Sequence, residues 1–294
     1  MIDLGSNFRS FSGNLDTYTV DYSPVSRPPQ SFFTEVRQSV QLAYDARQAP
    51  MYICYSGGLD SEFVLHAFCE QKIPFTPVIL KTQYNHHDIA YAIRFCENRN
   101  LRYQLIDLDF DHFVTSGKML DICLDAKTGP GNAVLLWLYT QIDGSVITGE
   151  GDQLLGRKVD DPQWYVYEDE NDTRIMEFRK KHQVLGPPFL LSCYTPEQML
   201  SYLLEPVIVD LVNNRIPKKL SNVSSKARIY SGCSGYDFEA RPKFHGFENT
   251  MESAIWQHED IQHVLGMESI WNGYCLINYQ DAVAKLSQGH NIHK

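Results

Sequence analysis

The sequence predicts an α/β protein, with a mainly parallel twisted sheet carrying helices on both faces and a mostly helical C-terminal region after it. Three observations predict this. Short apolar runs alternate with helical periodicity across residues 31–157, glycine-bearing turns follow several of those runs, and the alternation fades after Gly156. The chain accordingly divides into an arm or edge hairpin at 1–30, a core at 31–157 and a C-terminal region at 158–294 that completes the site. At 294 residues, 43% of them hydrophobic, it can bury one large core or two modest ones.

Each element follows in order. The first 30 residues are polar and proline-bearing, with TYTVDY as a short strand. SFFTEVRQSVQLAYDARQA, from Ser31 to Ala49, spaces Phe33, Val36, Val40 and Ala43 as one face of a helix, with Ser31 and Glu35 near its start. Pro50 ends it, and MYICY is an apolar run suited to a strand buried on both faces. Ser61 to Lys72 is helical through Phe63, Val64, Ala67 and Phe68. PFTPVILKT is a strand, HDIAYAIRFCENRN a helix, LRYQLIDLD a strand, NAVLLWLYTQI a helix, and GSVITGEGDQ a strand running into a loop. Trp137 and Tyr139 belong to a core helix, His86-His87-Asp88 reads as a helix start, and YEDENDTR, from Tyr167 to Arg174, reads as a solvated loop.

Composition excludes several classes. A formal charge of -10 disfavours broad phosphate-backbone binding, although Lys218, Lys219, Lys226 and Arg228 could form a local basic patch. No stretch approaches the roughly 20 apolar residues of a membrane span, and MIDLGSNFRS lacks the features of a signal peptide, so the expected compartment is the cytoplasm. Seven cysteines, an odd number with no C-x-x-C pair, argue against a disulfide framework and a cysteine zinc site.

The chemistry concentrates where the first buried strand meets a helix, at Ser56-Gly57-Gly58-Leu59-Asp60-Ser61. Glycines let a ligand approach the backbone, and amides at a helix start, with the Ser56 and Ser61 hydroxyls, cradle an anion. A carboxylate there, Asp60, would repel phosphate unless a divalent cation lay between them, which points to magnesium and a nucleoside triphosphate. Neither G-x-x-x-x-G-K-[ST] nor G-x-G-x-x-G is present. In a parallel sheet this loop shares the carboxyl-end rim with Thr148-Gly149-Glu150-Gly151-Asp152.

SGGLDS resembles the pyrophosphatase loop of the PP-loop ATPases, which share an adenine nucleotide alpha hydrolase-like fold and cleave ATP between the α- and β-phosphates. VITGEGDQLLG, from Val146 to Gly156, resembles the strand and SGEGSDELFGG loop of the asparagine synthetases, and Arg241 to Phe247, RPKFHGF, resembles their RPK-x-GF segment. The likeness spans Phe32 to about Glu248. It departs in a second loop one residue short, in Gln153 and Arg157 where the family has glutamate and glycine, in one extra residue before the third motif's glycine, and in having no N-terminal glutaminase with a cysteine after Met1.

The resemblance implies an ATP-dependent amide-forming synthetase. A carboxylate attacks the α-phosphate, pyrophosphate leaves, and ammonia or an amine captures the acyl-adenylate. Ser56, Gly57, Gly58 and Ser61 would hold pyrophosphate with Gly149 and Gly151 alongside, and Asp60 and Asp152 would ligate Mg2+. Lys243 would neutralise developing charge, Arg241 would act in catalysis beside it or simply pair with a carboxylate, Glu150 would deprotonate or orient the amine or else cap a helix or bind a second magnesium, and the backbone of Leu80 and Lys81 would contact adenine. The implied partners are a small-molecule carboxylate and an ammonia or amine donor, which a separate glutaminase could supply; nucleic acid and membrane are not expected, and the oligomeric state is left open. Two alternatives remain: another PP-loop enzyme adenylating a nucleobase or tRNA, and a non-catalytic ATP- or AMP-binding module.

Overall fold

The computed structural model describes residues 9–12, 19–149, 154–158, 161–187, 191, 194–213, 222–241, 245–271 and 273–288. Where the sequence left an arm or an edge hairpin open, the structure has an antiparallel hairpin, β1 (Arg9–Ser12) and β2 (Thr19–Tyr22), the second strand lying within TYTVDY. Next is α1 (Phe32–Asp45), which buries Phe32, Phe33, Val36, Val40 and Ala43. Ser31 and Glu35 stand at its start as expected, Ser31 as the N-cap residue and Glu35 in the first turn. The Ser31 hydroxyl makes no capping bond, and Glu35, 1% exposed, instead accepts from the Arg27 guanidinium at 2.7 and 2.6 Å and from the Gln30 amide at 2.6 Å.

The predicted alternation then appears as β3 (Met51–Cys54), α2 (Leu59–Glu70), β4 (Thr76–Lys81), α3 (His86–Asn98) and β5 (Gln104–Asp107). Two helices absent from the sequence reading follow, α4 (Phe110–Thr115) and α5 (Lys118–Ala126), before α6 (Pro130–Thr140) and β6 (Ser145–Ile147). The four strands are all parallel, in the order β5-β4-β3-β6.

Side-chain alternation explains why both faces are covered. Met51, Ile53, Ile79 and Ile147 point into a core shared with Phe33, Phe63 and Ile89 of α1, α2 and α3. Val78 and Val146 point the other way, towards Leu136 and Tyr139 of α6. Burying each such aliphatic or aromatic side chain contributes about 2 kcal/mol, so the register of the apolar runs fixes the layers.

Beyond residue 153 come β7 (Leu154–Gly156), β8 (Tyr165–Asp169), α7 (Glu170–Lys181), α8 (Pro196–Leu203), α9 (Pro206–Val212), α10 (Asn222–Ser234), α11 (His245–Glu252), α12 (Glu259–Trp271), β9 (Tyr274–Asn278) and α13 (Tyr279–Leu286). The region is largely helical, as expected, but it also holds an antiparallel sheet in the order β7-β8-β9. Tyr167 to Arg174 is the end of β8 and the start of α7 rather than a solvated loop. Glu168 is buried, accepting from Arg9 at 2.9 Å and from the Tyr22 hydroxyl at 2.6 Å, while Asp169 caps α7. The main core draws residues from both sides of residue 157, including Phe63, Leu200, Tyr230 and Tyr279.

Candidate functional site

The strand order places the site. From β3 the chain moves outward to β4 and β5, then returns to β6 on the other side of β3, so the loops after β3 and β6 leave neighbouring strands at a topological switch point. SGGLDS lies there, and so do Thr148 and Gly149.

Backbone contacts show how tightly the two are joined. A Cβ on Gly149 would lie 2.5 Å from Ser61 Cα and 2.6 Å from its nitrogen, so the loop after β6 rests directly on the first turn of α2 and only glycine fits. Gly57 has φ +82, and a Cβ there would meet the Asp88 carbonyl oxygen at 2.1 Å, pressing the loop against the start of α3. Asp88 stands in the first turn of α3, which begins at His86, as the helix-start reading expected.

The N-terminus of α2 is built without a side-chain cap. Gly58 occupies the N-cap in extended backbone (φ -76, ψ 160). Its amide donates to Ser56 Oγ at 3.3 Å, the Ser61 hydroxyl donates to the Gly58 carbonyl at 3.1 Å, and the two serine oxygens stand 3.4 Å apart. Hydroxyls and helix-start amides thus converge, with the positive end of the helix dipole behind them.

The carboxylates of α2 meet the C-terminal region. Asp60 Oδ2 accepts from the Lys226 ammonium at 2.9 Å and Oδ1 from the Tyr230 hydroxyl at 2.5 Å, both donors belonging to α10. Glu62 Oε2 accepts from Arg241 Nη2 at 2.7 Å and from the Tyr55 hydroxyl at 2.7 Å. Burial first, then the Glu62 charge, raises the Tyr55 phenol far above its ordinary range, so it remains a donor. Farther along the helix, His66 lies against Tyr236, with ring centroids 3.9 Å apart. Burial, aided by the Arg99 charge, lowers the His66 pKa to about 3 and keeps the ring neutral.

Of the expected site residues, Ser56, Gly57, Gly58, Asp60, Ser61 and Gly149 come together in one place. Arg241 lies 7% exposed in the ion pair with Glu62, its guanidinium 4.9 Å from the centre of the Tyr91 ring. Leu80 and Lys81 end β4 on the same rim, with carbonyls already accepting from Asn85 Nδ2 at 2.9 Å and the Leu108 amide at 2.8 Å, while the Lys81 ammonium pairs with Asp107. Glu150, Gly151, Asp152 and Lys243 lie outside the described residues. Their flanks do not: Arg241 is fixed to α2, and Asn249 of α11 donates to the Tyr84 carbonyl at 3.1 Å on the β4 rim.

Lys226 and Tyr230 are the residues the sequence reading did not assign to the site. The available signal was their i, i+4 spacing, which places a cation and a hydroxyl on one face of a helix. Among the described residues no group of three histidine, cysteine or acidic side chains could hold a metal. Asp60 alone fits the magnesium pattern in which one or two carboxylates share the ion with substrate phosphates. Two grooves of about 420 and 310 Å³ lie beside α13 and beside Pro28–Ser31; neither is lined by a cradle residue.

No protein-family model matches the chain, and neither does any curated protein. Solved structures that are similar include an NH3-dependent NAD synthetase from Campylobacter jejuni, 21% identical over 41% of this chain and 56% of that one, with a TM-score of 0.31. A predicted subunit of a tRNA methyltransferase from Methanocaldococcus jannaschii is 16% identical over 47% of this chain and 65% of that one, with a TM-score of 0.28. An NMN synthetase from Francisella tularensis is 14% identical over 78% of this chain and 94% of that one, with a TM-score of 0.31. The chain thus spans less than two thirds of the first two relatives. No helix among the described residues is long and apolar enough to cross a membrane.

Proposed function

We propose that this chain is an ATP-dependent, asparagine synthetase-like ligase that cleaves ATP between the α- and β-phosphates, adenylates a carboxylate and transfers ammonia or an amine to it. The observation that supports the reading is the contact of Gly149 on the Asp60–Ser61 backbone, which brings the end of β6 against the SGGLDS turn.

In this reading the Ser56 and Ser61 hydroxyls and the first amides of α2 hold the departing pyrophosphate, in an arrangement fixed before the ligand arrives. Asp60, with Asp152, would hold magnesium, which when bound neutralises phosphate charge. Lys226 adds a cation from α10. Lys243 would supply a second cation. Arg241 itself assists from its pair with Glu62 on α2, while Leu80 and Lys81 border the adenine. Glu150 would orient or deprotonate the amine.

A second reading, a non-catalytic ATP- or AMP-binding module, is favoured by the occupation of both Asp60 oxygens by protein donors. Phosphorus NMR with magnesium-ATP, ammonium and a pool of carboxylic acids separates the two. The ligase releases AMP and pyrophosphate only when acceptor is present, and Asp60→Ala and Lys243→Ala each reduce this by about 100-fold or more. Release of ADP and phosphate refutes the cleavage site, and saturable binding without turnover in every mixture favours the module.

A further inference from the structure

We propose that Asp60 is a cation-exchange position: Tyr230 fixes the carboxylate through Oδ1, and Lys226 occupies Oδ2 until a divalent cation delivered on the nucleotide displaces it. The proposal rests on the nucleotide reading, and it assigns Tyr230 as a positioning residue.

The two donors differ in their freedom to leave. Tyr230 is wholly buried, its ring stacked on Phe63 at 4.3 Å and packed edge-on against Phe238 at 5.7 Å. Its 2.5 Å bond therefore sets the direction of Oδ1 for as long as the core is intact. Lys226 carries its charge on a four-carbon stem, with 12% of its side chain exposed against 22% for Asp60, so the ion pair opens towards solvent.

An ammonium 2.9 Å from Oδ2 takes one of the directions in which that oxygen would ligate a hard cation. Two positive charges within about 4 Å repel strongly in a partly buried site, so they exclude one another. A free cation offers Lys226 no new anion in exchange. A nucleotide offers phosphate oxygens both to the cation and to the released ammonium, which makes cation entry conditional on nucleotide.

The test is manganese(II) binding to the full chain, followed by electron paramagnetic resonance without nucleotide. Lys226→Met and Lys226→Gln, each checked for folding by circular dichroism, should bind Mn2+ about tenfold more tightly than the unaltered chain, and adding Asp60→Asn should abolish the gain. Unchanged or weaker Mn2+ binding in both lysine variants overturns the exchange. Adding Tyr230→Phe to Lys226→Met, which keeps the ring and removes the hydroxyl, should reduce the gained affinity about fivefold at an unchanged urea midpoint. An undiminished affinity overturns the positioning role. A separate titration with α,β-methylene-ATP decides the nucleotide reading: failure of the unaltered chain to bind it would sink that reading, while the Mn2+ titrations would still decide the exchange.

Discussion

Two helices of this molecule, α7 directly after β8 and α2 after the short turn that follows β3, carry acidic residues in their first turn, yet their N-termini are built in opposite ways. At α7 the N-cap is Asp169, whose carboxylate accepts from the Asn171 amide at 2.9 Å. At α2 the N-cap is Gly58, with no side chain to accept anything. The first helix satisfies one of its own amides with a carboxylate and so presents negative charge; the second has no side-chain cap, and the Ser56 and Ser61 hydroxyls stand beside its start. A helix dipole is common to both, so the uncapped terminus is what marks a place for an anion.

The largest break in the contrast comes from the glycines that shape the α2 terminus. Gly57→Ala forces a side chain into φ +82 and against the Asp88 carbonyl, and Gly149→Ala forces one into the Ser61 backbone. Each should cost about 3 kcal/mol in urea unfolding and abolish measurable ATP binding by calorimetry. A sharper change gives α2 the cap of α7. Gly58→Asp fits its extended backbone with a small adjustment of the Ser56 hydroxyl 3.2 Å away. It should weaken ATP binding about 30-fold while leaving stability unchanged or raising it by about 1 kcal/mol. Retained affinity would show that the amides do not hold the phosphates.

His66, on the buried face of α2, sets a smaller effect on the acid side. Its folded pKa lies near 3 against an ordinary 6.5, so above pH 6.5 neither state is protonated and folding loses nothing there. Between 6.5 and 3 the unfolded chain takes up a proton that the fold refuses, and stability falls as pH drops. His66→Phe should flatten that part of the urea-midpoint profile, worth about 3 kcal/mol by pH 4. The smallest effect is at α7: Asp169→Ala should cost about 1 kcal/mol by thermal unfolding and leave ATP affinity unchanged.

The parallel sheet was legible because a strand buried on both faces must be continuously apolar, and MYICY, PFTPVILKT and GSVI are short runs that glycine and proline delimit. The cradle was legible because its residues are contiguous. The second sheet was hidden for the opposite reasons. β7 has three residues, and β9 pairs with β8 across more than 100 intervening positions, Glu168 facing Cys275. Glu168 broke the apolar pattern of β8, since its charge is accommodated by Arg9 from the other end of the chain. Read locally, YEDENDTR is a polar loop; only the distant guanidinium makes its second residue a core residue. Lys226 and Tyr230 escaped assignment because their i, i+4 spacing does not say what the shared face meets, and their meaning comes from Asp60, 166 and 170 residues away.

Three carboxylates along α2 each find a partner in one late stretch of chain: Asp60 with Lys226 and Tyr230, Glu62 with Arg241, and Glu70 with Tyr236, whose hydroxyl donates to it at 2.8 Å. During synthesis the strands of the parallel sheet leave the ribosome long before this stretch does, and such distant pairings form late in folding. A nascent chain therefore carries SGGLDS before Asp60 has met Lys226 and Tyr230 and before Glu62 has met Arg241. If the nucleotide reading holds, a product truncated before residue 226 would keep the strands of the parallel sheet and lack these contacts.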